Sequence, residues 1–378
     1  RCESPVLEIS NDELRRWTES GRFSATDNPD SLAGSDIILI CVPTPLADDL
    51  PDMRHVEHAA ETVARYLKPG QLVVLESTTY PGTTDELLKG ILETSGLKAG
   101  EDFYLGFSPE RIDPGNETYG LHNVPKVIGG FDPGSTTVME AFYGALVNTV
   151  VRVSSTRTAE MVKLLENTYR HVNIALANEM AILCHDLGID VWEVIEAAAT
   201  KPFGFQAFWP GPGWGGHCIP VDPSYLSWRV RKMGNTARFV DLAREFNRRM
   251  PGYVTLRISE ILNEEGKSLR GSNVLILGVA YKPQVADVRE SPALTIIEQL
   301  QKSGARVEFH DPYVESIRVG GGTKSGSELT AEVLHQADIV VLHTAHPVFD
   351  PGWISANSRL ILDTRNYLKG MHGLIYRL

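Results

Sequence analysis

Short apolar runs alternate with segments of helical periodicity in the first 150 residues of the chain. A continuous apolar run such as residues 36–42 is typical of a strand that is buried on both faces. The predicted strands are residues 36–42, 72–76 and 103–108, and the predicted helices between them are residues 53–66 and 84–94. This alternation predicts an α/β fold that is built on a parallel, doubly wound sheet.

The same alternation returns after residue 272. Strands are predicted at residues 273–277, 306–310, 338–343 and 359–363, and a helix at residues 293–302. Residues 320–327, Gly-Gly-Gly-Thr-Lys-Ser-Gly-Ser, indicate a mobile insertion and not a phosphate cradle, because no Gly-Lys-Ser/Thr motif opens a helix there. We therefore predict a second doubly wound, Rossmann-like domain.

A helical region separates the two predicted sheets. The long helix at residues 154–187 has Ser155 as its predicted cap, and the further helices are residues 191–199, 223–233 and 235–263. We predict three domains, which are an N-terminal Rossmann-like domain at 1–153, a central helical domain at 154–266 and a C-terminal Rossmann-like domain at 267–378.

The first 30 residues lack part of a dinucleotide-binding half. Residues 11–19 predict a short helix and residues 23–25 a short strand, but the strand, glycine-rich turn and helix that cradle a pyrophosphate are absent. The sequence also begins without a methionine. We expect that at least about 30 residues, including that turn, precede Arg1.

Composition limits the classes of partner. With 378 residues, of which 42% are hydrophobic, the chain can bury two or three cores. A formal net charge of −12 argues against nucleic acid or an anionic membrane, and the longest apolar run, residues 37–42, is too short to span a bilayer. The scattered cysteines predict reduced thiols in the cytoplasm and no zinc site; they are Cys2, Cys41, Cys184 and Cys218.

Residues 209–223 form a loop rich in glycine and proline, which allows its backbone to lie close to a ligand. The loop carries Cys218, and Asp222 follows four residues later, an arrangement that indicates a nucleophile with an acid/base partner. An inert, buried cysteine is the alternative. The loop also spells Gly-x-Gly-x-x-Gly, but Pro220 and Pro223 prevent the helix that a dinucleotide turn requires.

Polar loops follow the three strands predicted in the first domain. They are residues 42–45, 77–83 and 108–111, and in a doubly wound sheet they meet at one crevice. Proline and threonine are also common in ordinary turns. On the long helix, Lys163 and Asn167 are four residues apart and share a face, where they could position a hydroxyl and a water; a solvated helix face is the alternative.

Five motifs, in order along nearly the whole chain, carry a resemblance to a known family. They are Glu-Ser-Thr-Thr-Tyr-Pro-Gly-Thr, Phe-Ser-Pro-Glu-Arg, Ala-Glu-Met-Val-Lys-Leu-Leu-Glu-Asn, Gly-Gly-His-Cys-Ile-Pro-Val-Asp-Pro, and Gly-Val-Ala-Tyr-Lys with Arg-Glu-Ser-Pro. Together they resemble the UDP-sugar 6-dehydrogenases of the UDP-glucose/GDP-mannose dehydrogenase family, most closely the branch that acts on UDP-N-acetylhexosamines. The missing glycine turn departs from the family pattern.

The resemblance implies an NAD-dependent, four-electron oxidation of the C6 alcohol of the sugar to a carboxylate. Cys218 would form first a thiohemiacetal and then a thioester. The catalytic residues that carry over are Cys218, Lys163, Asn167, Asp222, Glu110 and Thr78. Lys163 would stabilise an oxyanion, and Glu110 would be the general base for thioester hydrolysis, with Thr78 holding the water. The N-terminal domain would bind NAD and the C-terminal domain UDP.

The resemblance also implies two sets of binding residues. The NAD set is Val42, Pro43, Thr44, Ser77, Thr78, Glu110 and Arg289. The substrate set is Glu110, Arg111, Lys163, Asn167, Lys201, Phe203, Phe205, Gly215, Gly216, Tyr281 and Lys282.

Several alternatives stay open from the sequence. UDP-N-acetylglucosamine is the favoured substrate, with UDP-N-acetylmannosamine and UDP-glucose as alternatives. A single-oxidation hydroxyacid dehydrogenase of the 6-phosphogluconate type would need no cysteine, and a non-catalytic nucleotide-sugar binding protein would need no cofactor turn. The resemblance further implies a homodimer or higher homo-oligomer that supplies surface polysaccharide synthesis. The charge and the cysteines predict a cytoplasmic protein with neither nucleic acid nor membrane as a partner and no metal.

Overall fold

The computed structural model describes residues 3–4, 9–113, 118–216 and 219–378. His217 and Cys218 lie outside the described residues, so the predicted role of Cys218 stays a prediction. The chain divides into two compact units, Arg1–Glu166 and Asn167–Leu378.

The first unit contains a five-stranded sheet. Its strands, in the spatial order β1-β4-β5-β6-β7, are β1 (Ile37–Ile40), β4 (Leu72–Leu75), β5 (Tyr104–Phe107), β6 (Lys126–Gly130) and β7 (Val150–Arg152). A two-stranded antiparallel pair is formed by β2 (Leu46–Ala47) and β3 (Leu50–Pro51). The helices are α1 (Asn11–Glu19), α2 (Arg54–Tyr66), a π-helix at Thr83–Leu88 that leads into α3 (Lys89–Leu92), and α4 (Pro133–Gly144).

Helices cover both faces of this sheet. Val73 and Leu75 of β4 pack with Val56 and Ala60 of α2, whereas Leu72 and Val74 point to the other face, where Met139 of α4 belongs to the same cluster. The four residues of β4 are therefore all buried, as a central strand between two helical layers should be.

Most predicted elements of the first unit are confirmed, within one or two residues at the ends. Four expectations were wrong or incomplete. Leu39 of β1 is 41% exposed, so residues 36–42 are not buried on both faces among the described residues. Residues 23–25 form no strand, and the segment predicted as helix 84–94 begins as a π-helix. The strands β6 and β7 and helix α4 were missed, and β6 runs antiparallel to β5, so the sheet is mixed.

The central helical region begins with α5 (Thr156–Asp186), which has 31 residues. The Oγ of Ser155 accepts a hydrogen bond from the Thr158 amide at 3.2 Å, which confirms Ser155 as the cap. The helices that follow are α6 (Val191–Ala199), α7 (Asp222–Lys232) and α8 (Arg238–Glu264). All four predicted helices of this region are confirmed.

The second unit also contains a doubly wound sheet, and its five strands are all parallel. They are β8 (Asn273–Leu277), β9 (Arg306–His310), β12 (Ile339–Leu342), β13 (Ile361–Asp363) and β14 (Ile375–Arg377), in the spatial order β14-β13-β12-β8-β9. The helices are α9 (Pro292–Lys302), α10 (Ala331–Gln336) and α11 (Pro351–Asn357). The predicted strands are confirmed, whereas β14, α10 and α11 were missed.

Residues 320–327 are not a mobile insertion. They complete an antiparallel hairpin of β10 (Ser316–Val319) and β11 (Gly322–Ser325). Gly320 and Gly321 form its two-residue turn with φ of 59° and 80°, the positive values that a type I′ hairpin turn requires. None of the helices in the described residues has the length and apolarity needed to cross a bilayer.

Candidate active site

One face of helix α5 carries a row of polar side chains. They are Glu160, Lys163, Asn167, His171 and Asn178, whose spacing of three, four, four and seven residues keeps them on one side of the helix. All except Lys163 are at most 6% exposed. Because buried polar groups need partners, each of these side chains holds a segment of its own compact unit.

Lys163 holds the loop that follows β5. Its Nζ donates a hydrogen bond of 2.6 Å to the main-chain carbonyl of Glu110. The Glu110 carboxylate accepts from the amides of Arg111 and Ile112 at 2.6 and 2.5 Å, and the side chain remains 45% exposed. Arg111 pairs with Glu166 at 2.7 Å. The structure thus brings Lys163, Glu110 and Arg111 together and leaves the Glu110 carboxylate partly accessible.

Ser77 joins the loops that follow β1 and β4. Its Oγ donates to the Val42 carbonyl at 2.8 Å and accepts from the Val42 amide at 2.8 Å. Because these two hydrogen bonds of the hydroxyl go to the main chain of Val42, Ser77 fixes the shape of the sheet edge at which the cofactor is predicted to bind. Thr44 is buried on the same edge, Pro43 is exposed and Thr78 is half-buried.

Glu160 anchors the start of the π-helix. Its carboxylate, 0% exposed, accepts from the Gly82 amide at 2.6 Å and from the amide and hydroxyl of Thr84 at 2.9 and 2.8 Å. Burial raises the pKa of Glu160 to about 7, although these three hydrogen bonds favour the ionised form. The loop that contains Thr78 is therefore tied at its far end to helix α5.

Asn167 and Asp222 form a buried pair in the second unit. The Nδ2 of Asn167 donates to Oδ2 of Asp222, which is the first residue of α7 and only 2% exposed. One turn further along α5, His171 has its ring nitrogens 3.2 Å from the Ile219 carbonyl and 3.3 Å from the Val240 carbonyl. Burial lowers the pKa of His171, although its contacts with the two carbonyls favour the protonated ring.

The glycine-rich loop packs against residues 281–292 without spare room. The Gly216 amide donates to the Arg289 carbonyl at 3.0 Å. A Cβ on Gly215 would lie 2.6 Å from the Tyr281 Cβ, and one on Gly216, whose φ is +85°, would lie 2.7 Å from the Tyr281 ring. Both positions therefore require glycine. Lys282 has its ammonium 6.0 Å from the centre of the Tyr281 ring.

The loop after β8 is fixed by a buried carboxylate. Asp311 accepts from the amides of Val279 and Ala280 at 2.7 and 2.9 Å, and His346 Nε2 lies 3.1 Å from its Oδ2. The Nδ1 of His346 accepts from the Gln284 amide at 3.2 Å, so the proton lies on Nε2 and is donated to Asp311. Further along this loop, Arg289 pairs with Asp287 at 2.6 Å.

Three predicted substrate residues lie on an exposed segment. Phe203 is 71% exposed and Phe205 43% exposed, and the Lys201 ammonium lies 5.0 Å from the Phe203 ring centre.

Known protein families match this chain in three consecutive parts. Three domains of the UDP-glucose/GDP-mannose dehydrogenase family match, which are the NAD binding domain at residues 1–147, the central domain at 157–249 and the UDP binding domain at 275–370. A UDP-N-acetyl-D-mannosamine dehydrogenase of Pyrococcus horikoshii is 38% identical over 98% of this chain and 87% of the relative. The chain belongs to the UDP-glucose/GDP-mannose dehydrogenase family.

A solved structure of the UDP-D-ManNAc dehydrogenase from Pyrococcus horikoshii matches with a TM-score of 0.89 and 35% identity, covering 100% of this chain and 90% of that one. A UDP-N-acetyl-D-glucosamine 6-dehydrogenase of Pseudomonas aeruginosa is 34% identical over 82% of this chain and 73% of the relative. The predictions of the family, of an NAD-dependent UDP-sugar dehydrogenase and of NAD as the cofactor are confirmed.

The described residues fit a bound NAD at the carboxyl edge of the first sheet. Strands β1 and β4 are parallel neighbours, so their following loops start side by side at the carboxyl edge, where ligands of doubly wound sheets bind. Thr44 and Thr78 lie on this edge, and the buried Thr79 hydroxyl has no hydrogen-bond partner among the described residues. None of the described residues forms the glycine-rich turn for the pyrophosphate.

Sequence reasoning missed a half-buried arginine in the family's UDP binding domain. Arg365 follows β13, its Nε donates to the His343 carbonyl at 2.9 Å, and burial lowers its pKa to about 10, which leaves it charged at neutral pH. A Cβ on Gly211 would lie 2.3 Å from its Nη1, so the guanidinium lies against the glycine-rich loop. A cationic residue directly after a strand, in Asp-Thr-Arg-Asn, was the available signal.

Arg365 lines a cleft of about 350 Å³ in the second unit. The lining residues are Trp192, Glu196, Trp209, Pro210, Arg365, Asn366 and Lys369. No group of three or more His, Cys, Asp or Glu side chains in the described part of the chain is arranged to hold a metal ion.

Proposed function

We propose that this enzyme oxidises the C6 alcohol of a UDP-N-acetylhexosamine to the uronate in two hydride transfers. Each turnover consumes one sugar nucleotide, two NAD⁺ and one water, and releases the uronate, two NADH and three protons. Bound NAD⁺ accepts a hydride at each oxidation. The residues of the chain bind and orient the sugar, hold the half-oxidised carbon and move protons.

Cys218 is the proposed nucleophile. Its thiolate adds to the C6 aldehyde that the first oxidation leaves, and the resulting thiohemiacetal can lose a second hydride to become a thioester. Water then adds to the thioester carbon, the C–S bond breaks and the thiolate is regenerated. Asp222 lies four residues after Cys218, and its buried contact with Asn167 supports a fixed carboxylate that orients the reacting oxygen or water.

Lys163 and Glu110 are the proposed oxyanion-stabilising cation and general base. The Lys163 ammonium donates to the Glu110 carbonyl, which supports a fixed positive charge near developing negative charge. The Glu110 carboxylate is held by two amides yet partly exposed, so it could take the proton of the attacking water. Thr78 is proposed to hold that water.

Arg365 and Lys369 are the proposed ligands of the UDP diphosphate. Arg365 is a half-buried cation, and guanidinium groups bind phosphate oxygens through two parallel hydrogen bonds. The cleft that it lines also contains Lys369, which pairs with Glu196 at 2.7 Å, and the exposed indole of Trp209. Tyr281, Lys282 and the two loop glycines are proposed to bind the rest of the substrate.

The identity of the sugar is proposed from the relatives. UDP-N-acetylmannosamine is the first candidate, because relatives that are 38% and 36% identical carry that activity in their names, and UDP-N-acetylglucosamine is the second. Lys201, Phe203 and Phe205 are proposed to shape the acetamido side of the pocket. We propose that the uronate serves surface polysaccharide synthesis in the cytoplasm.

We also propose a homodimer through helix α5. Leu165, Leu176 and Leu183 of this helix are 60%, 51% and 45% exposed, which is unusual for leucines of a central helix. Light scattering is expected to give twice the chain mass, and a monomer mass would refute the dimer.

The buried Asn167–Asp222 pair, in a chain that aligns with a UDP-N-acetylhexosamine dehydrogenase over 98% of its length, carries the proposal. The test is turnover of UDP-N-acetylmannosamine, UDP-N-acetylglucosamine and UDP-glucose by the wild type and by Cys218→Ser. We expect the N-acetyl sugars to be oxidised faster, and the serine variant to lose uronate formation. Undiminished turnover in Cys218→Ala would instead favour single-oxidation chemistry.

A further inference from the structure

A second lysine lies beneath the Glu110 loop, apart from the catalytic set carried over from the family. Lys126, the first residue of β6, is 6% exposed. Its Nζ lies 3.2 Å from Glu76 Oε1, 3.9 Å from Glu110 Oε2 and 3.4 Å from the Pro109 carbonyl. One buried ammonium therefore contacts both carboxylates.

The two carboxylates follow neighbouring strands. Glu76 comes directly after β4, and Glu110 lies in the loop after β5. Lys126 reaches both because β6 runs antiparallel to β5, so its first residues lie beside the carboxyl edge of the parallel strands. The antiparallel direction of β6 thus places the Lys126 ammonium beside Glu76 and Glu110.

Other charged and titratable groups face this cluster. Tyr143 of α4 donates to Glu76 at 2.5 Å, and its ring centre lies 5.2 Å from the Lys126 ammonium. The remaining groups are Cys41, which directly follows β1, Lys163 of α5 and Arg111 of the Glu110 loop. Burial and then the Glu76 charge raise the pKa of Cys41.

We infer that Lys126 and Glu76 are positioning residues that set the ionisation of Glu110. This inference rests on the proposed role of Glu110 as the base. A buried ammonium must remain paired, so Lys126 stabilises the carboxylate of Glu110 and holds it in place. Glu76 shares the same ammonium and carries a like charge, so it weakens that stabilisation.

The arrangement suits a base that must gain and lose a proton. When Glu110 takes the proton of the attacking water, its charge is lost, and the ammonium keeps Glu76 as its partner. No buried charge is left alone in either state. The two neighbours of Glu110 therefore have opposite effects on its affinity for a proton.

The test is the pH profile of kcat for uronate formation, in the holoenzyme with saturating NAD and sugar nucleotide. In Lys126→Met, we expect the acid limb to move up by about one pH unit, which is a tenfold change in the protonation equilibrium. Lys126→Arg, which keeps the charge, should restore the wild-type limb. Glu76→Gln should move the limb down, because the like charge is removed.

A merely structural role would lower kcat without moving the limb, and that result in Lys126→Met and Glu76→Gln would overturn the inference. If Lys126→Met fails to fold, the downward shift in Glu76→Gln decides by itself. Glu110→Gln separates the two proposals. If Glu110→Gln keeps the acid limb of the pH profile, Glu110 is not the base and the proposed function fails at that residue. If Glu110→Gln loses the acid limb while Lys126→Met and Glu76→Gln leave it unmoved, only the present inference falls.

Discussion

Each of the two compact units anchors a loop through a buried carboxylate, and the two carboxylates have pKa values shifted in opposite directions. In the first unit, Glu160 accepts main-chain hydrogen bonds from Gly82 and Thr84. In the second, Asp311 accepts them from Val279 and Ala280. The pKa of Glu160 is raised to about 7, whereas that of Asp311 is lowered to about 2.

Both side chains are fully buried, so burial raises the pKa in each case. For Asp311 four donors outweigh burial, namely the imidazole of His346 and three main-chain amides. Glu160 has three donors, and the neighbouring Asp85 carboxylate opposes its ionisation. A buried carboxylate that anchors a loop can thus stay ionised over the physiological pH range, as Asp311 does, or titrate within that range, as Glu160 does.

The largest loss of unfolding free energy should come from a substitution in the second unit, where the glycine-rich loop packs without free space. Gly216→Ala should cost about 3 kcal/mol of unfolding free energy, because it adds positive-φ strain to an overlap with the Tyr281 ring. Gly234 is the matched control, since its φ is +79° and no other group lies within 4 Å of the position that an alanine methyl would occupy. Gly234→Ala should cost about 1 kcal/mol. Equal costs in urea unfolding would mean that the packing of Gly216 is unimportant.

The next effect should come from Asp311→Asn, which places an amide group against amide donors and removes the partner of His346. We expect a loss of about 2 kcal/mol at pH 8. Because the folded pKa of Asp311 is depressed, the stability that it provides is present above pH 3.8 and is lost as the pH falls through about 2. The difference between variant and wild type should therefore be constant from pH 5 to pH 8, as measured by chemical denaturation.

The smallest effect should come from Glu160→Gln below pH 4.5, where the carboxyl is protonated and the substitution should cost about 1 kcal/mol. The folded pKa of Glu160 is raised from 4.5 to about 7, so its contribution to stability is fully present below pH 4.5 and is lost as the pH rises through 7. As the pH rises through this interval, the wild type should lose about 3 kcal/mol relative to the variant, so the variant should be the more stable protein at pH 8. A difference in unfolding free energy that does not change with pH, as expected for Asp311→Asn, would contradict the proposed difference between the two carboxylates.

The sequence predicted much of the fold because its signals are local. Parallel strands such as β8 and β12 are continuous apolar runs, and α5 has both a serine cap and a helical period. The antiparallel β6 was missed because strand direction depends on pairing with β5, which no local pattern reveals. The hairpin at Gly320 was taken for an insertion because its glycines indicate flexibility as readily as a tight turn.

The residues of the candidate site also differ in whether the sequence could predict them. Lys163 and Asn167 could be found because their spacing puts them on one helix face, and the structure gives each a partner within its own unit. Glu160 and Lys126 could not, since a charged residue in a sequence carries no sign of being buried. Their importance depends on which segments the tertiary fold brings beside them.

The most direct test of the account is the ratio of NADH formed to UDP-N-acetylhexosamine consumed by the full-length protein. The proposed thiohemiacetal and thioester on Cys218 require two NADH for each sugar, with the uronate as the product. One NADH for each sugar, with the aldehyde or a ketone as the product, would contradict the four-electron oxidation.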